Sequence, residues 1–315
     1  MPLKVENLRI FTRNENAVPV KNAFLKVERG ERVALVGESG SGKSLTALSI
    51  LKLLPENLKA EGNITIDGKN VLKLKGDELR QFRWKEVSMI FQDPSASLNP
   101  LIKVGEQVGE AIKFHYPQLT KEEISQKVLE LFKTARIPEP HKFINAYPHH
   151  LSGGLKQRVC IAMALACNPK YVIADEPTTA LDVTVQGKIL ELLKKISEKN
   201  NVGILLITHD MGVVAEFAEK LYVMYAGYTI EHGTVEEVFS TPLHPYTEGL
   251  LKCSPTLSSK PKRKLPSIPG SIPQPNEKIN GCPFHPRCPI KEEICEREFP
   301  PAKWKNKRFV LCHLR

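Results

Sequence analysis

Gly37-Glu-Ser-Gly-Ser-Gly-Lys-Ser44 is the stretch on which the fold turns. It satisfies G-x4-G-K-[ST]. The apolar run Arg32–Val36 before it reads as a short buried strand, and residues 44–54 after it read as an apolar helix stopped by Pro55. Strand, glycine loop and helix follow in the order that lets backbone N–H groups close around phosphates, with Lys43 reaching the β and γ oxygens and Ser44 ligating Mg²⁺. Gly37, Ser39, Gly40, Gly42, Lys43 and Ser44 are therefore the expected nucleotide contacts.

Working outward, residues 171–174 and 203–207 read as further buried strands, and between them Val185, Ile189, Leu192, Leu193 and Ile196 recur at helical spacing. Strands alternating with helices predict an α/β fold with a mostly parallel sheet. A nucleotide site needs an acid at a strand end to hold the Mg²⁺ shell, and Asp175 occupies that place; Glu176, next in line, is set to orient and deprotonate an attacking water. Residues 64–67 suggest a small β element, and residues 221–225 and 228–231, joined through Ala226-Gly227, a hairpin. Thr120 and Glu123 form a capping box ahead of the stripe Ile124, Val128, Leu131, Phe132 and Ala135, which predicts a helical insertion over about residues 100–150.

The 315 residues suggest two domains, or one large domain with an appendage. Ordinary shares of hydrophobic residues (41%) and charged residues (25%) exclude wholesale disorder and a fibrous chain. The longest apolar stretch, residues 159–167, is far short of the roughly 20 residues that cross a bilayer. The first 25 residues carry Glu6, Arg9, Arg13, Glu15 and Lys21 and no long apolar region, so no secretory signal is expected. A cytosolic, reducing setting without structural disulfides follows. Residues 252–315 carry 14 Lys and Arg against five Glu, +9 of the total +10, and 11 of the 24 prolines. The proline run 261–275 reads as an extended linker, which places a boundary near residue 250. The basic excess fits a solvated surface, an anionic membrane surface or nucleic acid. Cys160 and Cys167 read as small core residues and Cys253 stands alone, whereas Cys282, Cys288, Cys295 and Cys312 are packed among prolines as a cluster.

At Leu151-Ser-Gly-Gly-Leu-Lys-Gln-Arg158 the chain resembles the signature motif of ABC ATPases. Gln92 resembles their Q-loop, residues 180–182 (Ala-Leu-Asp) their D-loop and His209 their switch histidine, in family order over about residues 3–240. Phe11 resembles the aromatic that stacks on adenine, an ordinary core Phe being the alternative reading. The resemblance implies a P-loop NTPase with a β-subdomain, a helical subdomain over about residues 95–165, an ABC ATPase domain over residues 1–250 and a cysteine-containing extension over 251–315. It also implies a composite site. Ser152 and the Gly153 and Gly154 amides bind the γ-phosphate of ATP held by a partner's glycine loop. Asp182 joins the nucleotide contacts, Ser44, Gln92 and Asp175 hold Mg²⁺, and Glu176, His209 and Gln92 serve hydrolysis.

Two further stretches, residues 91–100 and 241–247 (Thr-Pro-Leu-His-Pro-Tyr-Thr), resemble the oligopeptide/dipeptide importer ATPases, with Ser95-Ala96 where members commonly carry Met-Thr. Residues 281–289 and the terminal Cys312-His313 extend the resemblance over nearly the whole chain. It implies an ATP-hydrolysing subunit at the cytoplasmic face of the membrane, coupled to uptake of di- or oligopeptides. The implied partners are a second, similar ATPase, two membrane-spanning permease subunits and, indirectly, an extracytoplasmic solute-binding protein, with no nucleic acid. In some relatives four such cysteines hold a [4Fe–4S] cluster, making Cys282, Cys288, Cys295 and Cys312 its ligands here; zinc, free thiols and disulfides stay open. Importers of oligosaccharides or nickel use closely similar ATPases. A soluble ABC ATPase acting on nucleic acid or ribosomes is the remote alternative, and such proteins usually carry two cassettes where this chain has one.

Overall fold

The computed structural model describes residues 1–179, 181–253 and 267–315. Ala180 of the expected D-loop and residues 261–266 of the expected linker lie outside them. The chain forms two compact units, one of residues 1–27, 32–72 and 206–315, the other of residues 28–31 and 73–205.

In the first unit, strand Leu3–Thr12 pairs antiparallel with Val20–Val27 on one side and Leu58–Ile66 on the other. None of this ladder is among the strands read from the sequence, apart from its end at residues 64–66. A bulge explains why. The register shifts between Glu6 and Arg9, and Asn7 is left-handed (φ 50°), so buried Leu3 and Val5 fall out of phase with buried Leu8 and Ile10. Strand Arg32–Val36 forms as expected and pairs parallel with Lys220–Tyr225, Val36 opposite Val223. The expected hairpin joins Lys220–Tyr225 to Tyr228–Thr234 through Ala226 and Gly227, both at positive φ (47° and 84°), as a tight primed turn requires.

The helix after the glycine loop spans Lys43–Ile50 and is shorter than predicted. Lys52 turns left-handed (φ 50°) and its Nζ donates to the Leu72 carbonyl at 3.0 Å, which ends the helix before Pro55 is reached.

Residues 267–315 pack within this same unit. They contain helix Glu293–Arg297 and a hairpin, Ala302–Lys305 with Arg308–Leu311, whose second strand pairs with Tyr228–Thr234. Phe284, 2% exposed, joins Tyr225, Tyr246, Val36 and Val223 in one core with Cys282 and Cys295. Burying a side chain of that size contributes about 1.5–3 kcal/mol, whereas an exposed pair such as Lys291–Glu296 is screened by water and adds little. Apolar burial, more than surface charge, fastens the extension.

The second unit holds strands Val87–Ile90 and Tyr171–Asp175, paired parallel, and a helical core. Helices Val104–His115, Lys121–Thr134 and Gly153–Ala164 bury Val108, Ile112, Val128, Phe132 and Val159. The Thr120–Glu123 capping box is present in both directions, at 3.2 and 2.8 Å. Cys160 and Cys167 are buried here, and burial pushes their thiols up to about 12 and about 11, values of inert packing residues. Helix Val183–Asn200 buries Ile189, Leu192, Leu193 and Ile196 as its periodicity predicts. Among the described residues no helix is long and apolar enough to cross a membrane.

Candidate active site

The glycine loop of the first unit packs so closely that two of its glycines have no room for a side chain. A Cβ on Gly37 would stand 2.1 Å from the Met224 carbonyl oxygen, and one on Gly42 2.9 Å from both the Met224 methyl and a Val20 methyl. Gly42 also sits at φ 104°, a conformation that side chains rarely adopt. Lys43, 6% exposed, folds over the loop, its Nζ donating to the carbonyls of Gly37 (2.7 Å) and Glu38 (2.9 Å) and reaching Ser41 Oγ at 3.5 Å. A cation at the first turn of helix Lys43–Ile50, directly after a glycine loop, suits a polyphosphate. Ser44 follows Lys43 in that first turn and supplies the hydroxyl that Mg²⁺ would need.

Residues that the sequence reading does not assign to this site support the loop from below. Buried Glu231 accepts the N–H groups of Leu243 and His244, each at 2.8 Å, and pairs with Arg308 at 3.2 Å. The Glu231 carboxylate thereby fixes the 241–247 stretch. His244 is buried and driven neutral, its value lowered by desolvation to about 3, so its ring accepts the Tyr246 N–H at 3.0 Å. Tyr246 in turn receives the Glu38 N–H on its hydroxyl at 2.8 Å. This chain of contacts gives the Thr-Pro-Leu-His-Pro-Tyr-Thr motif a structural role beneath the phosphate loop. His209 closes strand Gly203–Thr208 and is exposed, while Asp210 caps the next helix by accepting from Gly212 and Val213.

In the second unit two of the three expected hydrolytic residues, Gln92 and Glu176, meet. Asp175, 7% exposed, ends strand Tyr171–Asp175, and Glu176 follows in a left-handed conformation (φ 45°) that turns it out of the strand. Glu176 Oε2 accepts from Gln92 Nε2 and from Thr179 Oγ1, both at 3.0 Å. Two donors on one oxygen orient the carboxylate. Thr179 is the member of this trio that the sequence reading missed; its place three residues after Glu176 was the available signal. Ser152 caps helix Gly153–Ala164, accepting from Leu155 at 3.4 Å, and Asp182 caps Val183–Asn200, accepting from Val185 at 2.9 Å. The Gly153 and Gly154 amides lie at the first helix's N-terminus, where an anion is favoured.

Phe11 stands differently from the adenine-stacking expectation. Phe11 is buried next to buried Ile10, on the opposite face of the strand, 4% exposed with the Arg9 guanidinium 4.5 Å from its ring centre. The ring presents no open face for a base in this conformation. The four extension cysteines are gathered in one place. Burial, with Cys295, Cys312 and Cys288 nearby, pushes the Cys282 thiol up to about 11, and Cys282 N–H bonds the Cys295 carbonyl at 2.8 Å. In number and donor chemistry they fit a thiolate-ligated centre. Their spacing is another matter, because among the described residues no group of three or more His, Cys, Asp or Glu is arranged to hold a metal ion.

Comparison with known proteins bears on both units. A family described as ABC transporter matches residues 20–179, and one described as oligopeptide/dipeptide transporter, C-terminal region, matches residues 230–295. The oligopeptide transport ATP-binding protein AppD of Bacillus subtilis is 44% identical over 99% of this chain and 93% of its own length. OppD of Salmonella typhimurium, named likewise, is 44% identical over 98% and 92%. Among solved structures, the dimeric cassette MJ0796, in a post-hydrolysis state bound to ADP and phosphate, is 33% identical with a TM-score of 0.65, covering 75% of this chain and 99% of that one. CbiO1 from Clostridium perfringens, part of an ABC transporter complex, gives a TM-score of 0.65 at 29% identity, covering 76% of this chain and 90% of its own.

Proposed function

The chain belongs to the ABC transporter ATPases as the ATP-hydrolysing subunit of a peptide importer, and from that premise we propose how its residues divide the work and with what it assembles. The observation that carries the reading is the Gly37–Ser44 cradle, with no room for a Cβ at Gly37 or Gly42 and crossed by the Lys43 ammonium. Main-chain N–H groups and Lys43 bind the phosphates. Ser44, Gln92 and Asp175 would hold Mg²⁺, which when bound supplies neutralising charge at the transferred phosphoryl group. Glu176, aimed by Gln92 and Thr179, takes the proton of the attacking water, and His209 assists.

Ser152 with the Gly153 and Gly154 amides forms the face that grips ATP held on a second, similar ATPase, so nucleotide joins two cassettes and hydrolysis releases them. The dimeric state in which MJ0796 was solved supports this pairing. Two membrane-spanning permease subunits would hold the pair peripherally at the cytoplasmic face, an extracytoplasmic binding protein would deliver the solute, and the names of the relatives favour peptide over oligosaccharide or nickel. Co-expressed with its permease subunits, the chain is expected in the membrane fraction, and alone in the supernatant. Equal partition in both cases, or salt-sensitive retention on DNA, would return the nucleic-acid alternative.

Cys282, Cys288, Cys295 and Cys312, near one another in the extension, would be the ligands of a [4Fe–4S] cluster whose role would be structural or sensory. Anaerobic purification should yield about four iron and four sulfide per chain, with absorbance near 400 nm, roughly where such thiolate bands fall, bleached by Cys288→Ser. Stoichiometric zinc, or iron content indifferent to Cys288→Ser, would remove the cluster from the reading.

A further inference from the structure

We propose that Arg287, carried by the C-terminal extension, is a positioning residue of the phosphate-binding loop that neutralises Glu38 and keeps the cradle receptive to an anion. Glu38 is the acid within Gly37–Ser44, a carboxylate in the loop that must receive a polyphosphate. Left unpaired, it repels that ligand and competes with it for Lys43. Arg287 answers it with a two-pronged contact, Nη1 to Oε2 at 2.7 Å and Nη2 to Oε1 at 2.9 Å. The geometry is one that a planar guanidinium makes and an ammonium does not.

The guanidinium is held from every side. Nε donates to the Pro269 carbonyl at 2.8 Å, Nη2 also reaches the Ile268 carbonyl at 3.4 Å, and Nη1 reaches the Tyr225 hydroxyl at 3.5 Å. Its side chain is 5% exposed against 30% for Glu38, so the pair sits largely out of water, where charge matters more than at the surface. The turn His285–Arg287 is closed by the Arg287 N–H on the Phe284 carbonyl at 3.0 Å, and the Phe284 ring is lodged 5.2 Å from Tyr225 and 5.5 Å from Tyr246.

The contact is not isolated. An Ile272 methyl lies 3.5 Å from where a Gly40 Cβ would be, and the Val18 N–H bonds the Pro275 carbonyl at 3.0 Å, so residues 268–275 run along the loop. Glu38 meanwhile takes Lys43 Nζ on its main-chain carbonyl at 2.9 Å. One residue therefore links the extension's arginine to the lysine that meets phosphate.

The inference rests on the reading of Gly37–Ser44 as the phosphate cradle. It is tested by equilibrium binding of a fluorescent ATP analogue with Mg²⁺ to the full chain at fixed ionic strength, with thermal melting to confirm folding. Arg287→Gln is expected to weaken binding about tenfold or more, and Arg287→Lys by less. The double variant Arg287→Gln with Glu38→Gln should return to within about threefold of the parent, because the uncompensated carboxylate is gone. A folded Arg287→Gln chain that binds like the parent overturns the proposal. So does a double variant no better than Arg287→Gln, which would make Arg287 a structural staple alone. If Arg287→Gln does not fold, Arg287→Lys carries the test, and parental affinity there overturns it. A parent chain that binds no nucleotide overturns the cradle reading and this inference together, which separates the two failures.

Discussion

Glu176→Gln is expected to bind ATP about as tightly as the parent chain and to hydrolyse it about 10²–10⁴-fold more slowly, the span that general-base catalysis contributes. The amide keeps the size and the acceptor oxygen that Gln92 and Thr179 hold at 3.0 Å, so the surrounding loop has no reason to move. What is lost is the basic oxygen. With hydrolysis stalled, the γ-phosphate stays in place and the nucleotide-joined pair accumulates, visible as an ATP-dependent doubling of mass in size-exclusion chromatography with light scattering. Parental turnover in this variant would remove Glu176 from the base role and send the search to His209. Thr179→Ala provides a graded companion, since it removes one of two donors and leaves the carboxylate.

Lys43→Ala acts at the earlier step. Its ammonium is the buried cation of the cradle, tied to two loop carbonyls at 2.7 and 2.9 Å. A charge-assisted hydrogen bond contributes about 1.5–3 kcal/mol, so losing Lys43 should weaken ATP binding about a hundredfold. Calorimetry separates this from the Glu176 variant, because the affinity it reads should fall about a hundredfold in one and stay near the parent's in the other. Parental affinity in Lys43→Ala would detach the lysine from the phosphates.

The two variants divide the site as the sequence divides it. Gly37–Ser44 and the strand before it are legible because a period-free apolar run, a glycine pattern and a helix occur within about twenty residues, each constraining the next. Tyr171–Asp175 is legible for the same reason, since a strand buried on both faces leaves an unbroken apolar run. Leu3–Thr12 is hidden by its own bulge: a strand that changes phase midway has no period to detect. The Gln92–Glu176 contact could be expected from the order of family motifs, but the Arg287–Glu38 pair could not. Its partners lie 249 residues apart, and no local pattern tells an arginine in a basic tail which acid it will meet. Phe11, whose type and position suggest either a stacking partner or an ordinary core residue, lies buried at 4% exposure.

The first unit is assembled from the two ends of the chain, residues 1–72 apart from a short excursion, and residues 206–315. A ribosome adding about 5–20 residues per second therefore finishes the glycine loop on the order of ten seconds or more before strand Lys220–Tyr225, its pairing partner Arg32–Val36 already waiting. Tyr246 and then Arg287 arrive later still. Until they do, the emerging chain carries an unclamped phosphate loop and an unpaired apolar strand edge, the kind of surface that chaperones cover. A chain truncated in the extension should thus be marked less by a missing tail than by a first unit that never closes.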